Sequence, residues 1–146
     1  MKILIVCFAV VFALLSGCAA TPVAVSEAKY VPLLDTASPS LSQPASNKAQ
    51  ITIVRGESAG FVFCGAVLSL GNKPFADIGS SQKSVFYLAR GHYAVYAELG
   101  ENSPCAVTRY TWDLDVSDTT PEVWNLLFQE GVMNISPANN EAKYGR

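Results

Sequence analysis

The sequence predicts an all-β fold, an antiparallel β-sandwich of about seven or eight strands that follows a signal peptide and an extended tether. Three observations carry that expectation. From Ala49 onward, short runs rich in Val, Ile, Phe and Tyr are divided by turn residues at close spacing. The pairs Gly71-Asn72 and Glu130-Gly131 supply the glycine that tight hairpin turns use. In VTRYTWDLDV, Tyr110, Trp112, Leu114 and Val116 alternate with Arg109, Thr111, Asp113 and Asp115, and a period of two sends successive side chains to opposite faces of a strand.

The chain opens MKILIVCFAVVFALLSGC, with one positive charge at Lys2, an apolar stretch from Ile3 to Leu15, and small residues after it. This is the pattern of a secretory signal. A membrane-spanning helix needs about 20 apolar residues, and the run stops short of that. Leu15, Ser16, Gly17 and Cys18 resemble the bacterial lipobox, in which the cysteine thiol takes a diacylglyceryl group before cleavage. The resemblance implies that Cys18 becomes the acylated first residue of the mature chain. Palmitate-type acyl chains, at about 0.8 kcal/mol per buried methylene, then hold it on a bilayer. Ala19 stands where an Asp commonly retains lipoproteins at the inner membrane, so the expected location is the outer membrane with the domain facing the periplasm.

Residues 1–17 are thus read as the signal peptide and 18–48 as the lipidated N-terminus and a tether rich in Pro, Ser and Ala. Pro22, Pro32, Pro39 and Pro44 interrupt any long helix or inner strand, so the tether is expected to be extended and to add no strand to the sheet interior. The short apolar piece Tyr30 to Leu34 is expected to dock on the domain or on a partner.

Within the sandwich, residues 49–136, the expected strands are 50–55, 61–70, 74–78, 84–88, 92–99, 107–116, 122–128 and 131–135. In the fifth of these, Tyr93, Val95, Ala97 and Leu99 form the core side, with His92, Ala94, Tyr96 and Glu98 outside. Residues 137–146 are polar and are read as a tail or a short helix.

Between Ile51 and Leu99, ITIVR, GFVFCGAVLSLGNKPFADI and SVFYLARGHYAVYAE resemble a family of small bacterial lipoproteins of unknown function. Its domain is a prealbumin-like (transthyretin-like) β-sandwich. The resemblance implies that Gly91-His92 opens a strand, and it carries no catalytic residue. Ala89-Arg90 stands where the family more usually has Pro.

Charge and chemistry narrow the function classes. Removing the signal takes Lys2 alone from 10 basic residues against 12 acidic ones, and the remaining Lys and Arg are scattered singly, so nucleic acid is not an expected partner. Of 4 cysteines, Cys7 leaves with the signal and Cys18 takes lipid. Cys64 and Cys105 are expected to pair in an oxidising periplasm, with two separate thiols as the alternative. Neither sits in a C-x-x-C arrangement, so redox catalysis is not expected.

His92 is the single histidine, which excludes a multi-histidine metal site, and no G-x-S-x-G elbow is present. Asp113, Asp115 and Asp118 lack the glycine and terminal Glu of an EF-hand loop and read as a solvated strand face. Arg55, Arg90 and Arg109 read as surface-pairing arginines. No catalytic residue, metal or cofactor is therefore expected.

The leading expectation is a lipid-anchored module that binds the membrane through Cys18 and an envelope protein through its edges and loops. Binding of a small ligand or glycan on Tyr87, Tyr93, Tyr96 and Trp124 is the second, and an enzyme the third. Acylation makes a direct prediction. Wild-type protein should enter the detergent phase of a partition experiment, whereas Cys18→Ser should remain as precursor or turn up in the aqueous phase.

Overall fold

A run of four apolar or β-branched residues, Ile51 to Val54, is buried without interruption, and the fold is arranged around it. The computed structural model describes residues 20–58, 63–99, 109–129 and 132–138. In chain order the described elements are β1 (Lys29–Tyr30), α1 (Pro39–Ser42), β2 (Lys48–Arg55), β3 (Ala66–Leu70), β4 (Lys73–Ile78), β5 (Gln82–Ala89), β6 (Gly91–Leu99), β7 (Arg109–Val116), β8 (Val123–Gln129) and β9 (Val132–Pro137). They form an all-β sandwich of a five-stranded sheet, β1-β5-β2-β8-β9, and a four-stranded sheet, β4-β3-β6-β7.

Each strand expected from β2 to β9 is present. The second is shorter than expected: Phe63 lies in a turn and β3 begins at Ala66, while residues 61 and 62 lie outside the described residues. Residues 107 and 108 of the sixth expected strand, the turn Glu130-Gly131 and the tail beyond Ala138 also lie outside them. The parity reading holds. Trp112, Leu114 and Val116 are buried and Tyr110 is half-buried, with exposed residues between them. Val95, Ala97 and Leu99 are buried on β6, with Tyr93 half-buried on the same side.

Not every pairing is antiparallel: β2 lies parallel to β8, and β1 parallel to β5. Parallel neighbours need a long crossover, and here the chain crosses through the second sheet between β2 and β8. The crossing from β5 to β6 takes a single residue, Arg90, and Gly91 has φ +149, where a side chain would be strained. The β3–β4 hairpin turns through Gly71 at φ +59, and Leu70 faces Lys73 across it. Register slips beside Leu68, where Ser69 faces Pro74 and Leu68 faces Ala76. That bulge brings the consecutive residues Phe75 and Ala76 both into the interior.

Two aromatic pairs join the sheets. Phe75 of β4 meets Phe86 of β5 with ring centroids 4.8 Å apart, and Trp112 of β7 meets Trp124 of β8 at 4.5 Å, both tilted as aromatic quadrupoles prefer.

The segment expected to be an extended tether, docking through Tyr30 to Leu34, packs along the domain over more of its length. Thr21 forms an isolated bridge to Glu57, and Val23, Val25 and Ala28 lie against Val54 and Val123 on the outer face of the five-stranded sheet. This second cover explains why β2 reads as an unbroken apolar run rather than an alternating one. Further on, β1 extends the sheet edge, the Leu34 amide donates to the Phe75 carbonyl at 2.9 Å, and Leu41 of α1 is buried against the main core. Lys48 Nζ donates to the carbonyls of Ser40 and Gln43, holding α1 down. The prolines do prevent a long regular element. They do not prevent single apolar side chains and single backbone bonds from seating one after another.

A domain that starts at Asn47 should therefore be less stable than one that starts at Ala20, by about 3 kcal/mol, since burying each Val or Leu is worth about 1.5–3 kcal/mol before ordering costs. Leu41→Ala in the longer chain should account for about 2–4 kcal/mol by itself. Urea melts that coincide for the two lengths would show that the segment rests on the domain without supporting it.

Candidate functional site

β2 ends in a charge. Strand parity sends Arg55 into the interior beyond Ile51 and Ile53, and its side chain is only 1% exposed. The guanidinium donates from Nη1 to the Ile78 carbonyl at 2.9 Å and to the Cys64 carbonyl, and it lies over the Phe128 ring at 4.8 Å from the centroid. Burial pulls its pKa below the usual arginine range, to about 10, opposed by the negative charge of Asp77. The group stays charged at neutral pH, so the site is a buried cation fixed by carbonyl dipoles, an aromatic face and a nearby carboxylate. Reading Arg55 as a surface-pairing arginine is corrected here: the strand it terminates is covered on both faces, which leaves its side chain no route to solvent.

The clamp joins β2, the end of β4, the turn before β3 and β8 at one end of the sandwich. Cys64, 2% exposed, is disulfide-bonded, and Cys105, its expected partner, lies outside the described residues. Ser58 Oγ donates to the carbonyl of the same Phe128 at 2.8 Å.

The other expected arginines do pair at the surface. Arg90 meets Asp118, and Arg109 Nε meets Glu98 Oε1 at 2.9 Å while its guanidinium covers Tyr96 at 4.2 Å. His92 Nδ1 stands 3.3 Å from Asp115 Oδ1 because β6–β7 register sets the two residues opposite each other, and both side chains are largely exposed. Asp113, Asp115 and Asp118 are thus dispersed rather than gathered, and among the described residues no group of three His, Cys, Asp or Glu side chains could hold a metal.

Of the four aromatic residues read as stacking surfaces, two line a cleft. Tyr87 and Tyr93, with Leu41, Leu70, Phe75 and Leu88, enclose about 290 Å³ between α1 and the end of the sandwich. Lys48 and Lys73 also border it. The tyrosine hydroxyls are engaged, Tyr87 Oη donating to Gln50 Oε1 at 3.2 Å and Tyr93 Oη to the Ala89 carbonyl at 3.0 Å. A second cleft, of about 470 Å³, lies between residues Tyr30 to Ser42 and the outer face of β5 at Val85 and Tyr87. Tyr96 is occupied by Arg109, and Trp124 packs on Trp112 while its Nε1 donates to the Pro121 carbonyl at 2.8 Å.

Sequence reasoning did not anticipate the Arg55 clamp or the cleft under α1. The signal for the first was ITIVR itself, a doubly apolar run whose last residue is charged. Leu15, Ser16, Gly17 and Cys18 lie outside the described residues.

Fold and site together describe an all-β sandwich braced by an internal arginine and wrapped by its own N-terminal segment. Compared with protein-family models, with curated proteins and with solved structures, the chain matches none.

Arg55→Ala should destabilise the domain by about 3–5 kcal/mol, because it abandons two buried carbonyls and leaves a cavity. Arg55→Lys should fall between, since an ammonium can donate to the two carbonyls that Nη1 holds but has no planar face to lay on Phe128. His92→Ala should change stability by no more than about 0.5 kcal/mol, as expected for an exposed side chain. Urea denaturation of the three variants is the check.

Proposed function

We propose that this chain is a lipid-anchored lipoprotein of the bacterial envelope, held at the outer membrane by acyl chains on Cys18. Its sandwich acts as a non-catalytic protein-binding or structural module, an accessory part of an envelope or secretion assembly. The lipobox-like Leu15 to Cys18 supports the anchor, and the resemblance of Ile51 to Leu99 to small lipoproteins with prealbumin-like domains agrees with it.

One observation carries the binding half of this reading. Edge strands are normally blunted, because an open ladder invites another chain to pair with it. Here β1 is two residues long, β4 contains Pro74 and a bulge, and β9 ends in Pro137. By contrast β7, eight residues long, has no proline and no bulge, and among the described residues it pairs only with β6. Such an edge suits addition of a partner's strand, with main-chain bonds supplying affinity and Thr111, Asp113 and Asp115 on the open face supplying selectivity.

A second reading, binding of a small apolar ligand, is favoured by the cleft under α1, where Tyr87 and Tyr93 join Leu41, Leu70 and Leu88. That lining suits an apolar molecule better than a glycan.

A photo-crosslinking residue at Thr111 in living cells should give one discrete adduct with an envelope protein, whereas the same residue at the exposed Asn134 of β9 should not. No adduct from Thr111, or equal adducts from both positions, would remove the support for β7 as the docking edge.

A further inference from the structure

The N-terminal segment does not hold the domain away from its anchor, because the chain is already fastened to the sandwich at Thr21. The Thr21 amide donates to the Glu57 carbonyl at 2.8 Å, and the Glu57 amide donates back to the Thr21 carbonyl at 2.9 Å. Gly56 makes the approach feasible, since a Cβ there would lie 2.5 Å from the Thr21 carbonyl oxygen. Thr21 follows Cys18 by three residues, and a fully extended chain covers about 3.3–3.6 Å per residue. A lipid on Cys18 would therefore lie within roughly 11 Å of this bridge.

Strand register shows what else is at that end of the sandwich. Glu57 continues from the end of β2, which runs parallel to β8, and β9 begins at Val132 opposite the last residue of β8. Phe63 precedes Cys64, whose carbonyl accepts from Arg55 at the same end of β2. Exposed large apolar side chains among the described residues are Phe63 at 96%, Val132 at 61% and Tyr30 at 55%. The first two stand at this end, and Tyr30 pairs at the level of Lys83, itself opposite Val54, one residue further in. The Phe63 ring is exposed on a firm base, since Cys64 is buried, disulfide-bonded and clamped by Arg55. Charges of both signs stand at this end, Glu57 and Asp77 with Lys29 and Lys83, so no single-sign patch forms there and the attraction to a bilayer is apolar.

We propose that the domain sits on the bilayer by this end, with Phe63 and Val132 entering the interfacial region beside the acylated Cys18. This rests on the lipoprotein reading and adds an orientation to it. The sandwich then stands end-on, with the Arg90–Asp118 turn and Asn47 furthest from the lipid, as the β2–β5 and β6–β7 registers dictate.

The test uses full-length acylated protein in vesicles of phosphatidylethanolamine and phosphatidylglycerol doped with chain-dibrominated phosphatidylcholine. Phe63→Trp, Val132→Trp and, as the far-end control, Asn47→Trp are compared with wild type, whose two tryptophans supply the background. All three sites are exposed, so the substitutions leave the core untouched. Added emission at 63 and 132 should be quenched by about half or more, since interfacial residues bury about 5–10 Å into the headgroup and acyl boundary, while that at 47 should be unaffected. Protein that floats with the vesicles but shows no quenching at 63 and 132, or equal quenching at 47, overturns the orientation and leaves the anchor standing. Protein that does not float overturns the anchor, and the orientation with it.

Discussion

Placing a full positive charge inside a small sandwich is the constraint to which the other parts of this structure answer. A guanidinium taken from water carries a desolvation cost that only good geometry offsets, and around Arg55 the fold supplies two carbonyls, an aromatic face and a carboxylate from separate pieces of chain. They come from three stretches of chain, at Cys64, at Asp77 and Ile78, and at Phe128. Satisfying Arg55 therefore fixes where the turn at Cys64 sits, where β4 stops and how β8 lies beside β2. An apolar residue of similar size could fill the space but would not select one arrangement of the loops, and the coupling of charge to carbonyl direction gives that end of the sandwich a single geometry.

Much of the sandwich was legible because period two is a local property. The alternation in 109–116 and 92–99 names its buried side without reference to any partner strand, and Gly71-Asn72 names its turn in the same way. What was not legible depended on distant chain. The parallel placing of β2 against β8 requires knowing that the intervening strands alternate between sheets, which no local pattern records. Arg55 looked like a strand-end charge at the surface because its burial comes from Cys64, Ile78 and Phe128, on other elements that no local pattern ties to it. Of the aromatic set, Tyr87 and Tyr93 reached a cleft and Tyr96 and Trp124 did not, a difference made by Arg109 and Trp112 opposite them.

The N-terminal segment is the clearest case of composition misdirecting. Proline and serine content argues against a long regular element, and none forms in residues 20–47, but irregularity and independence are different properties. Residues 20–47 make few bonds per residue and yet cover two separate apolar surfaces: the outer side of Val54 through Val23, Val25 and Ala28, and the open end of the core through Leu33 and Leu41. A segment without periodicity can be a structural layer when each apolar residue meets its own recess.

That layering bears on how the chain acquires its structure. Thr21 and Ala28 are among the earliest described residues to leave a ribosome, yet the outer cluster cannot close at that stage: Ala28 and Val54 await Val123, and the Val123 carbonyl in turn accepts from the Ala138 amide at 2.9 Å. The first and last described stretches close over one central strand, so this cluster cannot assemble from the front as synthesis proceeds. Dominance of such long-range pairing is the condition under which domains fold slowly, and an exposed β-rich intermediate is the form in which chains aggregate. The outer cluster is therefore complete only once the β8–β9 hairpin has been made.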